Sequence, residues 1–102
     1  MIIVSQDKNM IINFNNIVAT YVTKKYVPEE EEYKGYNIDF ATREEINFVL
    51  ATYETEERAK EVLQEIAKRN KEFEILENCG YYELFGGMQG YAEMGLYEMP
   101  ER

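Results

Sequence analysis

Short apolar runs with polar punctuation open the chain, and one long stretch of helical periodicity follows them. Ile2-Ile3-Val4 stops at Ser5-Gln6-Asp7-Lys8-Asn9, side chains that bond to nearby backbone in turns, and Met10-Ile11-Ile12-Asn13-Phe14 comes next. The pair predicts a hairpin with a loop longer than two residues. After Asn15-Asn16, the run from Ile17 to Thr23 is rich in the β-branched and aromatic side chains that suit a pleated surface. Lys24-Lys25-Tyr26-Val27-Pro28 then leads into Glu29 through Glu32, read as a solvated loop in which water relieves the repulsion of four successive carboxylates. From Tyr33 to Thr42 the pattern alternates, with Tyr36, Ile38 and Phe40 on one face and Asn37, Asp39 and Ala41 on the other. Beyond the polar turn Arg43-Glu44-Glu45, Ile46 to Tyr53 is the most apolar strand and is expected at the centre of the sheet.

From Glu56 to about Asn70 the period changes. Ala59, Val62, Leu63, Ile66 and Ala67 fall on one face of a helix. Thr55 is placed to cap its N-terminus, with Glu56 and Glu57 at the positive end of the dipole and Lys68, Arg69 and Lys71 at the other end. Glu56–Lys60 and Glu65–Arg69 have the favourable i,i+4 order. After Lys71 the pattern weakens. Phe73 and Ile75 could start a strand, Asn78-Cys79-Gly80 reads as a turn, Tyr81 to Phe85 as a short strand and Gly95 to Met99 as a last one.

The fold class is α+β: an antiparallel β-meander of about five strands, covered by one amphipathic helix, with a Gly/Tyr-rich acidic C-terminal segment. Residues 1–71 form the meander-plus-helix core, and residues 72–102 an extension of the same single domain. The expected core is Ile3, Ile12, Phe14, Val18, Ile38, Phe40, Phe48, Leu50, Ala59, Val62, Leu63 and Ile66.

Charge sharpens this division. Of the 102 residues, 20 are acidic and 11 basic, a net charge of −9. Residues 72–102 hold seven glutamates against Arg102 alone, and so supply −6 of it. They also hold five of the six glycines and four of the nine tyrosines, which is poor core material and good contact material. An acidic chain repels a phosphate backbone and an anionic bilayer, so direct nucleic-acid and membrane binding are not expected. Attraction to a basic protein is. No apolar run reaches the roughly 18–20 residues of a membrane span. A single cysteine, Cys79, fits a reducing cytoplasm, which is the expected location in a host cell.

Three segments carry a resemblance. They are Met1 to Lys8 with Ile11-Ile12-Asn13-Phe14, then Tyr53 to Ile66 with its Thr55-Glu56-Glu57-Arg58-Ala59-Lys60 start, then Tyr97-Glu98-Met99-Pro100-Glu101. Together they resemble short proteins found in phages and prophages of clostridia and other Firmicutes. The resemblance covers the scaffold and leaves out Glu29 to Glu32 and the stretch from Gly80 to Gly95. It implies a mobile-element accessory role, in the company of anti-defence proteins such as anti-CRISPR proteins, and carries over no functional residue.

The chemical inventory is thin. The chain has no histidine, which removes the usual general base and the commonest metal ligand. Glu77 and Glu83 near Cys79 disfavour its thiolate. Gly86-Gly87-Met88-Gln89-Gly90 has no lysine or Ser/Thr after it and does not read as a phosphate loop. Glu29 to Glu32 lacks the ligand spacing of a calcium loop. No catalytic residue, metal or cofactor is expected.

The expected function is therefore binding: a non-enzymatic inhibitor of a basic, nucleic-acid-binding host protein. Its contact surface would be Tyr81, Tyr82, Glu83, Phe85, Met88, Tyr91, Glu93, Tyr97 and Glu98, with tyrosines as anchors and glutamates for steering. Two alternatives stay open. One is a nucleotide-sequestering pocket, with Tyr81, Tyr82, Phe85 and Tyr91 stacking on a base and phosphates met by Arg43, Arg58, Lys68, Arg69 or Lys71. The other is a structural phage component that forms a homodimer or higher oligomer.

Overall fold

The computed structural model describes residues 1–79 and 95–102. The α+β class holds, but the strands divide into two three-stranded sheets in place of one five-stranded meander. The first sheet has the order β2-β1-β6, with β1 (Ile2–Val4), β2 (Ile11–Asn13) and β6 (Leu96–Glu98). The second is the antiparallel meander of β3 (Ile17–Val27), β4 (Glu32–Thr42) and β5 (Asn47–Tyr53). The helix α1 (Glu56–Cys79) covers the second sheet, and a 3-10 turn at Phe14–Asn16 links β2 to β3.

The first hairpin forms around Ser5, which is buried. Its hydroxyl donates to Asp7 Oδ1 (2.6 Å) and accepts from Met10 N–H (3.1 Å), while Asp7 Oδ1 also accepts from Asn9 N–H (3.0 Å). These bonds favour the ionised carboxylate and hold the Asp7 pKa below its usual value, the Ser5 hydroxyl contributing most. Lys8 takes the left-handed conformation in this turn (φ 65°).

β6 pairs parallel to β1, with Ile3 opposite Tyr97, and brings the end of the chain into the core. Tyr97 and Met99 are buried there. A parallel partner so distant in sequence leaves no local signal, and this is why a five-stranded meander was expected.

Gln6 joins the two sheets. Its backbone N–H donates to the Leu50 carbonyl (2.9 Å), so the chain leaving β1 runs onto the outer edge of β5. Its side chain then copies a peptide unit: Oε1 accepts from Thr52 N–H (2.9 Å), and Nε2 donates to the Thr52 carbonyl (3.0 Å). The same amide nitrogen reaches the carbonyls of Pro100 (3.2 Å) and Glu101 (3.0 Å). One side chain thus satisfies both backbone groups of Thr52, which would otherwise be costly to bury, and ties down the C-terminal segment.

β4 is the centre of its sheet, not the more apolar β5. Bulges re-aim particular side chains. Val18 is the extra residue where Ile17 pairs with Thr42 and Ala19 with Ala41, and it lies 65% exposed instead of in the expected core. Leu50 is the extra residue between the Ile38–Ala51 and Asp39–Val49 pairs, so Leu50 and Ala51 are buried in succession. Phe48 stacks on buried Phe40 with centroids 5.3 Å apart, yet its other side is open and it stays 43% exposed.

The remaining expected core residues are in place. Ile3, Ile38, Phe40, Leu50, Ala59, Val62 and Ile66 are buried, Ile12 and Phe14 pack against them, and Leu63 is half-buried. Met1, Ala51, Tyr53, Phe73, Tyr97 and Met99 complete the cluster of buried residues.

α1 starts as its sequence dictates, with Thr55 Oγ1 accepting from Arg58 N–H (3.1 Å) and Lys60 paired to Glu56 (2.8 Å). It does not end at Asn70. Phe73 extends the stripe Ala59-Val62-Ile66 by two turns and is buried, so the expected strand at Phe73 and Ile75 and the turn at Asn78-Cys79 are helical instead. The 24 residues span about 36 Å at 1.5 Å per residue. Lys68, Arg69 and Lys71 therefore sit within the helix, and its last turn has no basic residue. Residues 72–79 belong to the helix and 96–98 to the first sheet, so no structural boundary falls at position 71. Among the described residues no helix is long and apolar enough to cross a membrane.

Candidate partner-binding site

The expected contact residues part company in the structure. Tyr81, Tyr82, Glu83, Phe85, Met88, Tyr91 and Glu93 lie outside the described residues. Tyr97 is a correction: it is 7% exposed, too deep to anchor a partner. Its hydroxyl donates to Glu65 Oε2 (2.8 Å) and the Arg69 guanidinium stands 5.7 Å from its ring centre. Burial, and then the Glu65 carboxylate, push its phenol well above the usual range. Tyr97 is a pin between β6 and α1. Glu98 is exposed as expected, and pairs with Lys8 at 3.1 Å.

A second acidic aromatic surface lies where a plain loop was expected. β3 and β4 continue past the end of β5, whose last pair with β4 is Tyr53–Tyr36. Beyond it, among the described residues, only two strands remain, pairing Tyr26 with Tyr33 and Val27 with Glu32. They form an arm, in a molecule 53 Å long and 29 and 21 Å across. Its base is a bulge, since Lys34 and Gly35 of β4 face only Lys25 of β3. Gly35 takes φ 85°, and a Cβ on it would stand 2.9 Å from the Tyr53 carbonyl oxygen, so both backbone and space select glycine.

The arm carries two exposed rings, Tyr26 and Tyr33 (50% and 65%), tilted together with centroids 5.2 Å apart. Lys24 Nζ lies 6.0 Å from the Tyr33 ring centre. The tip is Pro28 to Glu31, with Glu31 left-handed (φ 52°) and Glu30 N–H bonded to the Val27 carbonyl (3.2 Å). Lys34 pairs with Glu30 and Glu32. Glu29 and Glu31 have no ion-pair partner among the described residues and project charge from the tip.

Sequence reading missed the arm because four glutamates outweighed its strand signal. The signal was present all the same: Tyr26-Val27 and Glu32-Tyr33 flank Pro28-Glu29-Glu30-Glu31, the layout of a hairpin with a four-residue loop.

A cleft lies elsewhere. It encloses about 580 Å³ at the start of α1, lined by Thr52 to Thr55, Arg58, Glu101 and Arg102. Tyr53 forms its floor, with the hydroxyl donating to the Pro100 carbonyl (2.7 Å) and the phenol pushed up to about 12, chiefly by burial. Arg58 is already engaged: Nε donates to the Arg102 carbonyl (2.9 Å) and Nη1 to Glu61 (2.7 Å). The cleft's two arginines face two glutamates, so it holds no net positive field for a phosphate. The cations available to a nucleotide are dispersed: Arg58 at this cleft, Arg69 on Leu96 and Tyr97, Lys68 and Lys71 on the exposed helix surface, and Arg43 in the β4–β5 turn. Among the described residues no three His, Cys, Asp or Glu side chains converge as metal ligands. Set against protein-family models, curated proteins and solved structures, the chain matches none.

Proposed function

We propose that this protein is a non-catalytic binding module that occupies a basic surface on a nucleic-acid-binding host protein, and that the β3–β4 arm is its contact element. The observation that carries the reading is the pairing of Tyr26 and Tyr33, exposed on a two-stranded projection, with uncompensated carboxylates at Glu29 and Glu31. Tyrosines on rigid strands give large contact area with little entropy to lose, and tip carboxylates steer a cationic partner. Nothing in the core needs either ring. The resemblance to phage and prophage proteins suggests a host-defence protein, such as a CRISPR effector, as the class of partner.

Residues 80–94, with Tyr81, Tyr82, Phe85 and Tyr91, form a second acidic aromatic stretch, and the same partner could use both. Surface plasmon resonance on a captured basic partner separates them. Tyr26→Ala with Tyr33→Ala should raise the dissociation rate, and Glu29→Gln with Glu31→Gln should slow association and flatten its salt dependence. Binding that ignores the arm variants and is lost on Tyr81→Ala with Tyr82→Ala would move the contact to the C-terminal stretch. Binding that ignores both sets would refute an acidic aromatic contact.

A further inference from the structure

We propose that the free edge of β3 pairs with the same edge of a second copy, giving an antiparallel dimer with one continuous six-stranded sheet. β3 pairs with β4 on one side only, and among the described residues nothing pairs with its other side. Unpaired edges are normally guarded by charge, bulges or cover. Here the guards stand at the ends: a bulge at Val18, and Lys24 and Lys25 next to the bulge at the base of the arm. Between them Ala19 to Thr23 runs regular and uncharged. The surrounding gap in charge is wider still, since no Asp, Glu, Lys or Arg occurs from Asn9 to Thr23 in a chain that is 30% charged. Val18 and Tyr21 are exposed along this stretch. Beneath it lies an open groove of about 310 Å³, lined by Phe14, Leu63 and Ala67 among others.

A second copy fits this edge better than a charged partner does. A basic protein would find no carboxylate on the strand from Ala19 to Thr23 itself, and the Glu56 carboxylate of α1 beside Val22 and Thr23 is already paired with Lys60. Two copies instead bring neutral edge to neutral edge. The two-fold axis of an antiparallel strand pair runs perpendicular to the sheet, so each residue on the axis faces its own counterpart. Placed at Tyr21, the axis keeps every pair within the regular run: Tyr21 with Tyr21, Thr20 with Val22, Ala19 with Thr23. Lys24 then lies beyond the last pair and meets no like charge. An axis perpendicular to the sheet also leaves both α1 helices on one face, so the two apolar grooves close against each other. Thr20 Oγ1, buried without a hydrogen-bond partner at this edge, would stand beside the new ladder.

The test is a charge exchange at the axis, read by sedimentation equilibrium of the full chain. Wild type should dimerise with rising concentration between about 1 and about 200 µM, as mass action requires. Tyr21→Lys alone and Tyr21→Glu alone should both be monomeric, each placing like charges face to face, with unchanged far-ultraviolet circular dichroism. An equimolar mixture of the two should recover the dimer. In a Cys79→Ser background, Tyr21→Cys should form an intermolecular disulfide on mild oxidation, while Thr23→Cys should not, being displaced from its counterpart by four residues along the ladder. A wild type that stays monomeric throughout overturns the proposal. So does a dimer that persists in Tyr21→Lys, or variants that the mixture fails to rescue.

Discussion

The two ends of the β3–β4 hairpin teach different things. At one end Ile38 and Phe40 are buried under α1, and Thr52 beside them is clasped through its backbone by Gln6. At the other, past Gly35, the same two strands carry Tyr26 and Tyr33 in solvent and end in glutamates. Within β4 both ends alternate, with Ile38 and Phe40 flanking Asp39 in the body as Glu32 and Lys34 flank Tyr33 in the arm. The difference is cover: β5 stops at Tyr53, and among the described residues the arm beyond it has no third strand. Apolar surface beneath a helix stabilises the fold, whereas the same surface on an uncovered arm is available to something else.

The comparison breaks most sharply under truncation in the body. Ile66→Ala should cost about 3–4 kcal/mol in urea unfolding, because α1 and the sheet cannot both close on the void. Val18→Ala, the same kind of deletion at a bulge facing solvent, should cost less than about 0.5 kcal/mol. Equal losses at the two positions would mean that the burial assignment at the start of β3 is wrong.

Gln6→Ala comes next. It strips the Thr52 N–H and carbonyl of their partners and frees Pro100 and Glu101, at about 2–3 kcal/mol. Hydrogen exchange should quicken at Thr52 and across residues 96–101 while the arm amides are unaffected. Unchanged protection at Thr52 would show that the clasp is ornamental.

How much of this was legible follows from where each signal sits. The start of α1, its stripe and its Thr55 cap are local patterns and were readable in Thr55-Glu56-Glu57-Arg58-Ala59. The end of α1 was not, because Phe73 lies beyond a run of charge. The three bulges at Val18, Leu50 and Gly35 each displace one residue, which no strict alternation can foresee. The polar runs around Lys8, Glu31 and Glu45 marked turns or loops, but none of the three is glycine or asparagine, so which residue turns left-handed gave no compositional hint. Tyr97 looked like an anchor because its glycine-rich neighbours suggested exposure, and only its pairing with β1 shows that it faces Glu65. A polar glutamine as the joint between sheets is equally silent until Thr52 and Pro100 are both beside it.

Alkaline titration probes the body further. Tyr53 and Tyr97 have folded pKa values raised above the unfolded value, near 10. Their contribution is therefore complete below pH 10, and it is lost as the pH rises toward about 12, the value of Tyr53, because only the unfolded chain readily releases the proton. Stability should fall in that window, and Tyr53→Phe should make the fall shallower. A profile identical in Tyr53→Phe would refute the burial of its hydroxyl.

Gly35→Ala should cost about 1–2 kcal/mol, since it forces a Cβ against the Tyr53 carbonyl in a left-handed position. The loss should be felt mostly as a re-aimed arm, with the Tyr26–Tyr33 ring contact altered in nuclear Overhauser spectra and the core contacts kept. Smallest of all, Tyr26→Ala with Tyr33→Ala should change stability by less than about 0.5 kcal/mol.

The most direct measurement removes the arm. Replacing residues 26–33 with an Asn-Gly turn keeps β3, β4 and β5 paired where α1 covers them. If the arm serves contact and not folding, urea unfolding of the trimmed chain should give a free energy within about 0.5 kcal/mol of the intact one, with a slightly lower m-value for the smaller chain. A loss of about 2 kcal/mol or more would show that the arm holds the fold together and contradict its role as a surface kept free for a partner.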